Sequence, residues 1–329
     1  MKPRVVVTHW VHPEVIALLE KRCDVVANPM RETLPHELIL NRTRDADALL
    51  AFMPDRVDDA FLSACPRLRV VAGALKGFDN FDADACNRRG VWLTVVPDLL
   101  SVPTAELAVA LALALGRRLL TGDATVRRGE FAGWRPILFG TGLAGSTAGL
   151  IGLGALGRAL ARRLAAFDMR ILYTDPREVP PSERSGAQPV SFNDLLAQSD
   201  FVFPLVPLAA ETVHLIDAPA LKRMRPSSHL VNVCRGSVVD ESAVACALED
   251  GRLAGYAADV FEFEDWARAD RSRHIDARLL SDADRTVLSP HLGSAVDAAR
   301  RAIALAAAES ILDVLEGRSP RGAVAGPGR

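Results

Sequence analysis

Six consecutive residues of this 329-residue chain, Gly152-Leu153-Gly154-Ala155-Leu156-Gly157, have the types and spacing to hold a dinucleotide. They directly follow an apolar run at 148–151 and open a helix-like stretch at 158–167. In that setting the first glycine makes a tight turn, the second lets backbone N–H groups approach a pyrophosphate, and the third lets helix pack on strand. Twenty-three residues past Gly152, at the end of the next strand-like run (171–174), stands Asp175. Its carboxylate can accept from both adenosine ribose hydroxyls and repels a 2′-phosphate, which favours NAD over NADP. Arg177 keeps some NADP use open, because an arginine there can take that phosphate.

Three further residues stand behind this motif at the ends of apolar runs: Arg235 after 230–233, Glu264 after 257–260 and His291 after 287–289. In an open α/β sheet ligands bind at the carboxyl ends of the strands, so the three are expected to converge near the reactive end of the dinucleotide. Hydride departure needs a proton to leave a substrate oxygen or an attacking one, and histidine is the usual base near neutral pH. A glutamate bonded to the second ring nitrogen fixes the tautomer and stabilises the imidazolium, and an arginine offers a planar fork for an anion. Alone, each has an ordinary reading: a satisfied core histidine, one member of an acidic run with Glu262 and Asp265, a surface ion pair. Their order behind the glycine motif selects the chemical one.

The elements that must position these residues follow from composition and rhythm. At about 150 residues per domain the length suggests two domains. With 49% apolar and 24% charged residues, each has enough core to offset its ordering entropy. Lysine plus arginine total 39 against 41 acids, a formal charge of −2 without a long like-charge block, which argues against nucleic acid as a partner. Five scattered cysteines, Cys23, Cys65, Cys86, Cys234 and Cys246, are never in C-x-x-C spacing. They point to reduced thiols, no metal site and a cytoplasmic compartment. The most membrane-like stretch, 107–115 between Glu106 and Arg117, falls short of the roughly 18 residues a span needs and reads as buried helix.

Short apolar runs at 5–7, 48–52 and 70–73 alternate with helix-like stretches at 13–21 and 61–65. The rhythm resumes beyond Pro103, where Thr104 can cap an apolar helix over 106–120, and continues through runs at 147–151, 170–174, 201–205, 229–233, 255–260 and 286–289. That alternation predicts an α/β protein with two doubly wound parallel sheets. A final helix over 297–316 has no sheet of its own, so it is expected to return to the first domain. The domains would then be 1–98 with 292–329, and 99–291.

Four segments together resemble the successive signatures of the D-isomer-specific 2-hydroxyacid dehydrogenase family, over nearly the whole chain. They are the glycine motif, Asn232-Val233-Cys234-Arg235-Gly236-Ser237-Val238-Val239-Asp240, Asp259-Val260-Phe261-Glu262-Phe263-Glu264, and Ser289-Pro290-His291-Leu292-Gly293. The resemblance implies a Rossmann NAD domain inserted into a flavodoxin-like substrate domain, with Arg235 on the substrate anion and His291–Glu264 as the acid/base pair. It implies cofactor contacts from Gly152, Gly154, Ala155, Leu156, Gly157 and Asp175, from Leu100, Thr104, Pro207 and Cys234, and from Asp259 on the nicotinamide carboxamide. The apolar helix at 106–120 would form a two-fold interface and make a homodimer; a fully buried helix in a monomer is the alternative.

Departures from the common pattern bear on the substrate. Lys76 precedes Gly77-Phe78-Asp79-Asn80 where a small or apolar residue is usual, and 265–271 replaces a proline-containing stretch. These, with Met53, Gly133-Trp134 and Ser294, resemble the phosphite-oxidising branch of the family. A second cation suits a dianion, since a buried unpaired charge is costly. The resemblance therefore implies NAD-dependent oxidation of phosphite to phosphate. Arg235 and Lys76 would hold the anion, with Met53, Trp134 and Ser294 around it, and His291 would take a proton from the attacking water as hydride leaves phosphorus for nicotinamide C4. Arg300 is either part of that surround or a helix-surface arginine, and Phe139 leaves no phenolic proton donor at its position. The alternative is a 2-hydroxyacid dehydrogenase or 2-oxo acid reductase acting on glyoxylate or hydroxypyruvate, with Lys76 touching a carboxylate or the cofactor. A third reading is a non-catalytic NAD-sensing protein like the corepressors on this scaffold, against which the complete Arg235, Glu264 and His291 set argues.

Overall fold

The computed structural model describes residues 2–327. The chain begins β1 (Arg4–Val7), α1 (Pro13–Glu20), β2 (Asp24–Ala27), α2 (His36–Thr43), β3 (Ala48–Ala51), α3 (Asp59–Ala64), β4 (Val70–Gly73), α4 (Ala83–Arg89) and β5 (Trp92–Thr94). It continues with α5 (Ser101–Gly116), α6 (Leu119–Arg127), β6 (Thr147–Ile151), α7 (Ala155–Ala165), β7 (Arg170–Thr174), β8 (Gln188–Pro189), α8 (Phe192–Gln198) and β9 (Phe201–Pro204). It ends with α9 (Ala218–Arg223), β10 (His229–Asn232), α10 (Glu241–Glu249), β11 (Gly255–Ala258), α11 (Ala277–Ser281), β12 (Thr286–Leu288), α12 (Asp297–Leu315) and β13 (Ala323–Ala325). Two compact units result. One takes the chain up to Leu100, Trp266–Ala269, and the chain from Ala295 onward; the other takes Ser101–Asp265 and Asp270–Ser294.

In the first unit the strand order is β13-β5-β4-β3-β1-β2, parallel except where β13 pairs antiparallel with β5. Without that edge strand this is the flavodoxin-like order. Both faces are covered, which is why Val5-Val6-Val7 shows no polar alternation. Val5 and Val7 pack with Leu19 of α1 and with Ile303, Ala307 and Ile311 of α12, whereas Val6 packs on the opposite face with Phe61 and Leu93.

The second unit's sheet runs β12-β11-β10-β9-β6-β7-β8, parallel throughout, the Rossmann order extended by β12. Ala108 and Ala112 of α5 and Leu160 and Leu164 of α7 bury one face against Leu150, Phe201 and Phe203. Leu195, Leu221, Val244 and Leu248 cover the other against Val202, Leu230 and Tyr256. Each such leucine or phenylalanine contributes roughly 1.5–3 kcal/mol by leaving water.

The helix expected over 106–120 starts and stops earlier. α5 begins at Ser101 with Pro103 in its first turn, where a missing N–H costs nothing, so Thr104 lies inside the helix and does not cap it. It ends at Gly116, against which residues 140–141 lie closely. The Thr141 N–H donates to the Gly116 carbonyl at 2.7 Å, and a Cβ on Gly116 would stand 2.8 Å from the Thr141 oxygen. Arg118 then takes φ +51° and α6 begins. Among the described residues no helix is long and apolar enough to cross a membrane.

Candidate active site

The glycine turn joins β6 to α7, and its glycines are needed for different reasons. Gly152 has φ +102°, and its N–H donates to the Thr174 carbonyl of the neighbouring strand at 2.8 Å. A Cβ on Gly157 would stand 2.4 Å from the Gly152 oxygen, so helix and strand could not approach as they do. A Cβ on Gly154 would meet nothing within 4 Å. That open space lies at the start of α7, whose first turn has neither an acidic residue nor a side-chain cap. The N-terminal peptide groups at Ala155, Leu156 and Gly157 therefore present the positive end of a helix to it, which fits a pyrophosphate.

Asp175, at the end of β7, lies beside this turn, with a side chain only 3% exposed. It accepts from the Leu153 N–H at 2.9 Å, and from the Arg177 N–H and Nε at 3.0 and 3.3 Å. Burial acts to raise its carboxyl, but the Leu153 and Arg177 bonds outweigh burial and hold it below the ordinary aspartate value. A firmly ionised acceptor suits ribose hydroxyls. The Arg177 guanidinium is itself mostly exposed.

The second half of the site lies at the carboxyl ends of β10, β11 and β12, which are adjacent in the sheet. Arg235 follows β10 and opens a 3-10 turn, Gly236–Val238; its Nη1 donates to the Cys234 carbonyl at 2.9 Å. Asn232 pins this segment by donating to the Arg235 carbonyl at 3.0 Å and accepting from the Cys234 N–H at 3.1 Å. Glu264 closes the turn after β11. Its Oε1 accepts from the Phe261 N–H at 2.8 Å, and its Oε2 meets His291 Nδ1 at 2.7 Å. With Nδ1 engaged, Nε2 is the ring nitrogen left for a reacting group. His291 has φ +55°, which costs a residue with a Cβ about 1–2 kcal/mol and persists only where the surroundings impose it.

Asp259 imposes it. Its backbone carbonyl accepts the His291 N–H at 2.8 Å, its Oδ1 accepts from Ser289 Oγ at 2.6 Å and the Leu292 N–H at 2.7 Å, and its Oδ2 accepts from the Gly293 N–H at 2.8 Å. Burial pushes this carboxyl up from its ordinary value, against the pull of those donors and of His291. The oxygens of Asp259, expected on the nicotinamide carboxamide, also hold the loop that carries the histidine.

The remaining candidates are divided between the two units. Thr104 lies near Gly293, where a Cβ would come within 3.1 Å of its Oγ1. Ser294 is buried just beyond it, and Pro207 sits in the segment after β9. Burial pushes the Cys234 thiol up to about 12, so it is inert and serves as a weak donor to Asn232. Trp134 is 82% exposed in the stretch between α6 and β6. Met53, Lys76 and Leu100 belong to the first unit, Met53 and Lys76 just beyond the carboxyl ends of β3 and β4. Arg300 is no simple surface arginine. Its guanidinium lies 5.5 Å from the Phe52 ring centre and donates to the Ala74 carbonyl at 3.4 Å, and burial lowers its pKa. Thr8, His9 and Asp55 form a polar group in the first unit that the sequence reading did not bring together. Asp55 Oδ2 accepts from Thr8 Oγ1 and from the Phe52 N–H at 2.8 Å, and Oδ1 lies 3.4 Å from His9 Nε2. Thr8 and His9 stand 46 or more residues from Asp55 in the chain, a separation that no spacing rule reports.

A Rossmann sheet with a glycine turn at one strand end and an arginine, a glutamate and a histidine at three others defines a nicotinamide-dependent oxidoreductase. Residues 109–293 match the model of the D-isomer specific 2-hydroxyacid dehydrogenase NAD binding domain, and the chain belongs to that family. It is 37% identical to a glyoxylate reductase of Thermococcus litoralis, over 97% of this chain and 96% of that protein. It is 38% identical to a glyoxylate reductase of Pyrococcus furiosus, over 97% of this chain and 94% of that one. Among solved structures, a glyoxylate reductase from Paecilomyes thermophila superposes with a TM-score of 0.86 at 26% identity, covering 98% of both chains.

These relatives overturn the expectation of phosphite oxidation, since proteins matched along nearly their full length are named glyoxylate reductases. The inference from Lys76 fails for a physical reason. An ammonium is a point charge that pairs a carboxylate as readily as the second oxygen of a dianion, so its presence does not count the charges on the guest.

Proposed function

We propose that the protein is a 2-oxo acid reductase, interconverting a small 2-oxo acid such as glyoxylate or hydroxypyruvate with its 2-hydroxy acid. The observation that carries this is the 2.7 Å contact of His291 Nδ1 with Glu264, in a loop fixed by Asp259, on the strand-end edge that also carries Arg235. Bound at the glycine turn by Gly152, Gly154, Ala155, Leu156, Gly157 and Asp175, a reduced nicotinamide dinucleotide supplies the hydride. Arg235 takes the substrate carboxylate in its planar fork and turns the carbonyl carbon to one face. His291 Nε2 gives a proton to the carbonyl oxygen as negative charge develops there, and Glu264 stabilises the imidazolium beforehand. A positioned acid of this kind is worth about 10²–10⁴-fold. In the oxidative direction His291 takes the proton back from the hydroxyl.

Lys76, Met53, Trp134 and Ser294 are assigned to substrate binding, with Leu100, Thr104 and Pro207 assigned to the cofactor. Cofactor preference is for NAD, with NADP tolerated through Arg177, whose mostly exposed guanidinium lies beside Asp175 and can pair a 2′-phosphate there. A homodimer is supported by the exposed apolar side chains Leu119, Leu120, Val126, Phe131, Ile137 and Phe139, which fall within one stretch of 21 residues that follows α5. Light scattering on the purified protein tests it, a monomer mass counting against the dimer.

The decisive assay follows NADH consumption by pure protein with glyoxylate and hydroxypyruvate, and NAD reduction with D-glycerate and phosphite. Turnover of the organic acids is expected. NADH formed from phosphite with no turnover of the organic acids would overturn the reading.

A further inference from the structure

Behind the Arg235 and Glu264 turns lies a buried group of side chains to which the reaction above gives no part. Glu241 opens α10 and is 3% exposed; Glu262 lies in the turn leading to Glu264 and is 7% exposed. The two grip each other's backbone. The Glu262 N–H donates to Glu241 Oε1 at 2.7 Å, and the Glu241 N–H to Glu262 Oε1 at 3.3 Å. His214 completes the bracket: its Nε2 meets Glu262 Oε2 at 3.1 Å, while its backbone N–H donates to the Ser237 carbonyl at 2.7 Å. It thus holds the glutamate turn with its ring and the arginine turn with its main chain. Two more ties join the same turns. The Ser237 N–H donates to Asp265 Oδ2 at 2.6 Å, and Gly236 approaches so closely that a Cβ would stand 1.9 Å from the Phe261 carbonyl carbon.

We propose that Glu241 is a positioning residue for hydride transfer: bracketed with Glu262 and His214, it fixes the turn that carries Arg235 relative to the turn that carries Glu264. The proposal rests on the reductase reading for the roles of those two residues. The bracket holds best with Glu241 neutral. Its Oε2 is buried beside the Glu262 and Asp276 carboxylates, a costly place for full negative charge. Burial is the main cause that pushes its carboxyl up to about 7; the Glu262 and Asp276 carboxylates add to it, while the peptide N–H groups of the same two residues oppose it. The charged and titratable groups that face it are Glu262, Asp276 at the head of α11 with its partner Arg278, the Tyr256 hydroxyl from β11 and, through Glu262, His214. Loss of the proton sets two buried carboxylates against each other and loosens the turns.

The test compares Glu241→Gln and Glu241→Ala with wild type, on whichever anion the wild type turns over. Glutamine keeps an acceptor for the Glu262 N–H and cannot ionise; alanine removes the brace. At pH 6 E241Q is expected within about twofold of wild type and E241A about tenfold lower in kcat/KM, with NADH affinity unchanged in both. Between pH 6 and 8.5 the ratio of E241Q to wild type should rise severalfold, and the ratio removes the pH effects that the two proteins share. A ratio constant across pH, an E241A as active as wild type, or an E241Q no better than E241A overturns the proposal, and should E241A not fold, the E241Q ratio still decides. Failure of the reductase reading shows separately, as a wild type inactive on 2-oxo acids.

Discussion

Two strand-end regions of the second unit use the same material, backbone N–H groups, in opposite ways. At the start of α7 the donors are left over: no side chain caps the helix, and the space beside Gly154 is open. At the end of β12 they are used up, since the Leu292 and Gly293 N–H groups and the Ser289 hydroxyl all end on one buried carboxylate, Asp259. The first region is a socket for an anion that comes and goes. The second is a mount for a side chain that must not move, and satisfied donors are what allow His291 to stay at φ +55°. Binding and catalysis should therefore be separable by mutation.

The largest separation is expected at His291 itself. His291→Ala should lower kcat by about 10²–10⁴-fold, as loss of a positioned acid does, and leave NADH affinity within twofold. Turnover of the alanine variant at more than a tenth of the wild-type rate would break the distinction. Next comes the mount. Asp259→Ala leaves three donors without their acceptor and should cost roughly 2–4 kcal/mol of stability, read from urea unfolding, together with a fall in kcat of about 10–100-fold. Were Asp259 chiefly a cofactor ligand, NADH affinity would fall instead and stability would hold.

The socket sharpens the contrast through two glycines that look alike in sequence. An alanine at Gly157 would put its methyl 2.4 Å from the Gly152 oxygen, so Gly157→Ala should lower both melting temperature and NADH affinity. An alanine at Gly154 meets nothing, so Gly154→Ala should melt with wild type yet weaken NADH about tenfold, or about 1.4 kcal/mol, by filling the pyrophosphate's space. Equal melting losses in both variants would mean that Gly154 is a packing glycine too.

The socket was legible in the sequence because its parts are contiguous: a run, a turn and a helix within 148–167, each shaped by short-range sterics. The mount was legible only at its tip. His291, Glu264 and Arg235 stand out because strand ends collect ligands, but Asp259 meets donors 30 to 34 residues away, and no spacing rule reports that. Glu262 entered only as a neighbour in the acidic run that was the ordinary reading of Glu264; it is buried against Glu241, 21 residues off. That there are two parallel, doubly wound sheets followed from the alternation of runs, but their strand orders did not, and β8 and β13, two and three residues long, are too short to leave a pattern. The end of α5 was set by the close approach of residues 140–141, which a reading of the helix alone does not contain. Substrate choice was the least legible, because a lysine announces charge without announcing shape.

The smallest effect concerns the bracket behind the mount and is read as stability. An acid whose carboxyl stands at about 7 in the folded chain, against an ordinary value of 4.5, keeps its proton more tightly when folded. Its contribution is therefore fully present below about pH 4.5 and lost as pH rises through about 7. Between pH 6 and 8 that loss amounts to about 1 kcal/mol. The pH effects that Glu241→Gln shares with wild type drop out of their difference, which reports the Glu241 carboxyl together with its coupling to Glu262 and Asp276. Wild type should lose about 1 kcal/mol relative to E241Q between pH 6 and 8 in urea unfolding. Parallel loss in both would mean that Glu241 is ionised throughout, and the socket and mount would then differ in their donors alone, without a protonated brace behind the mount.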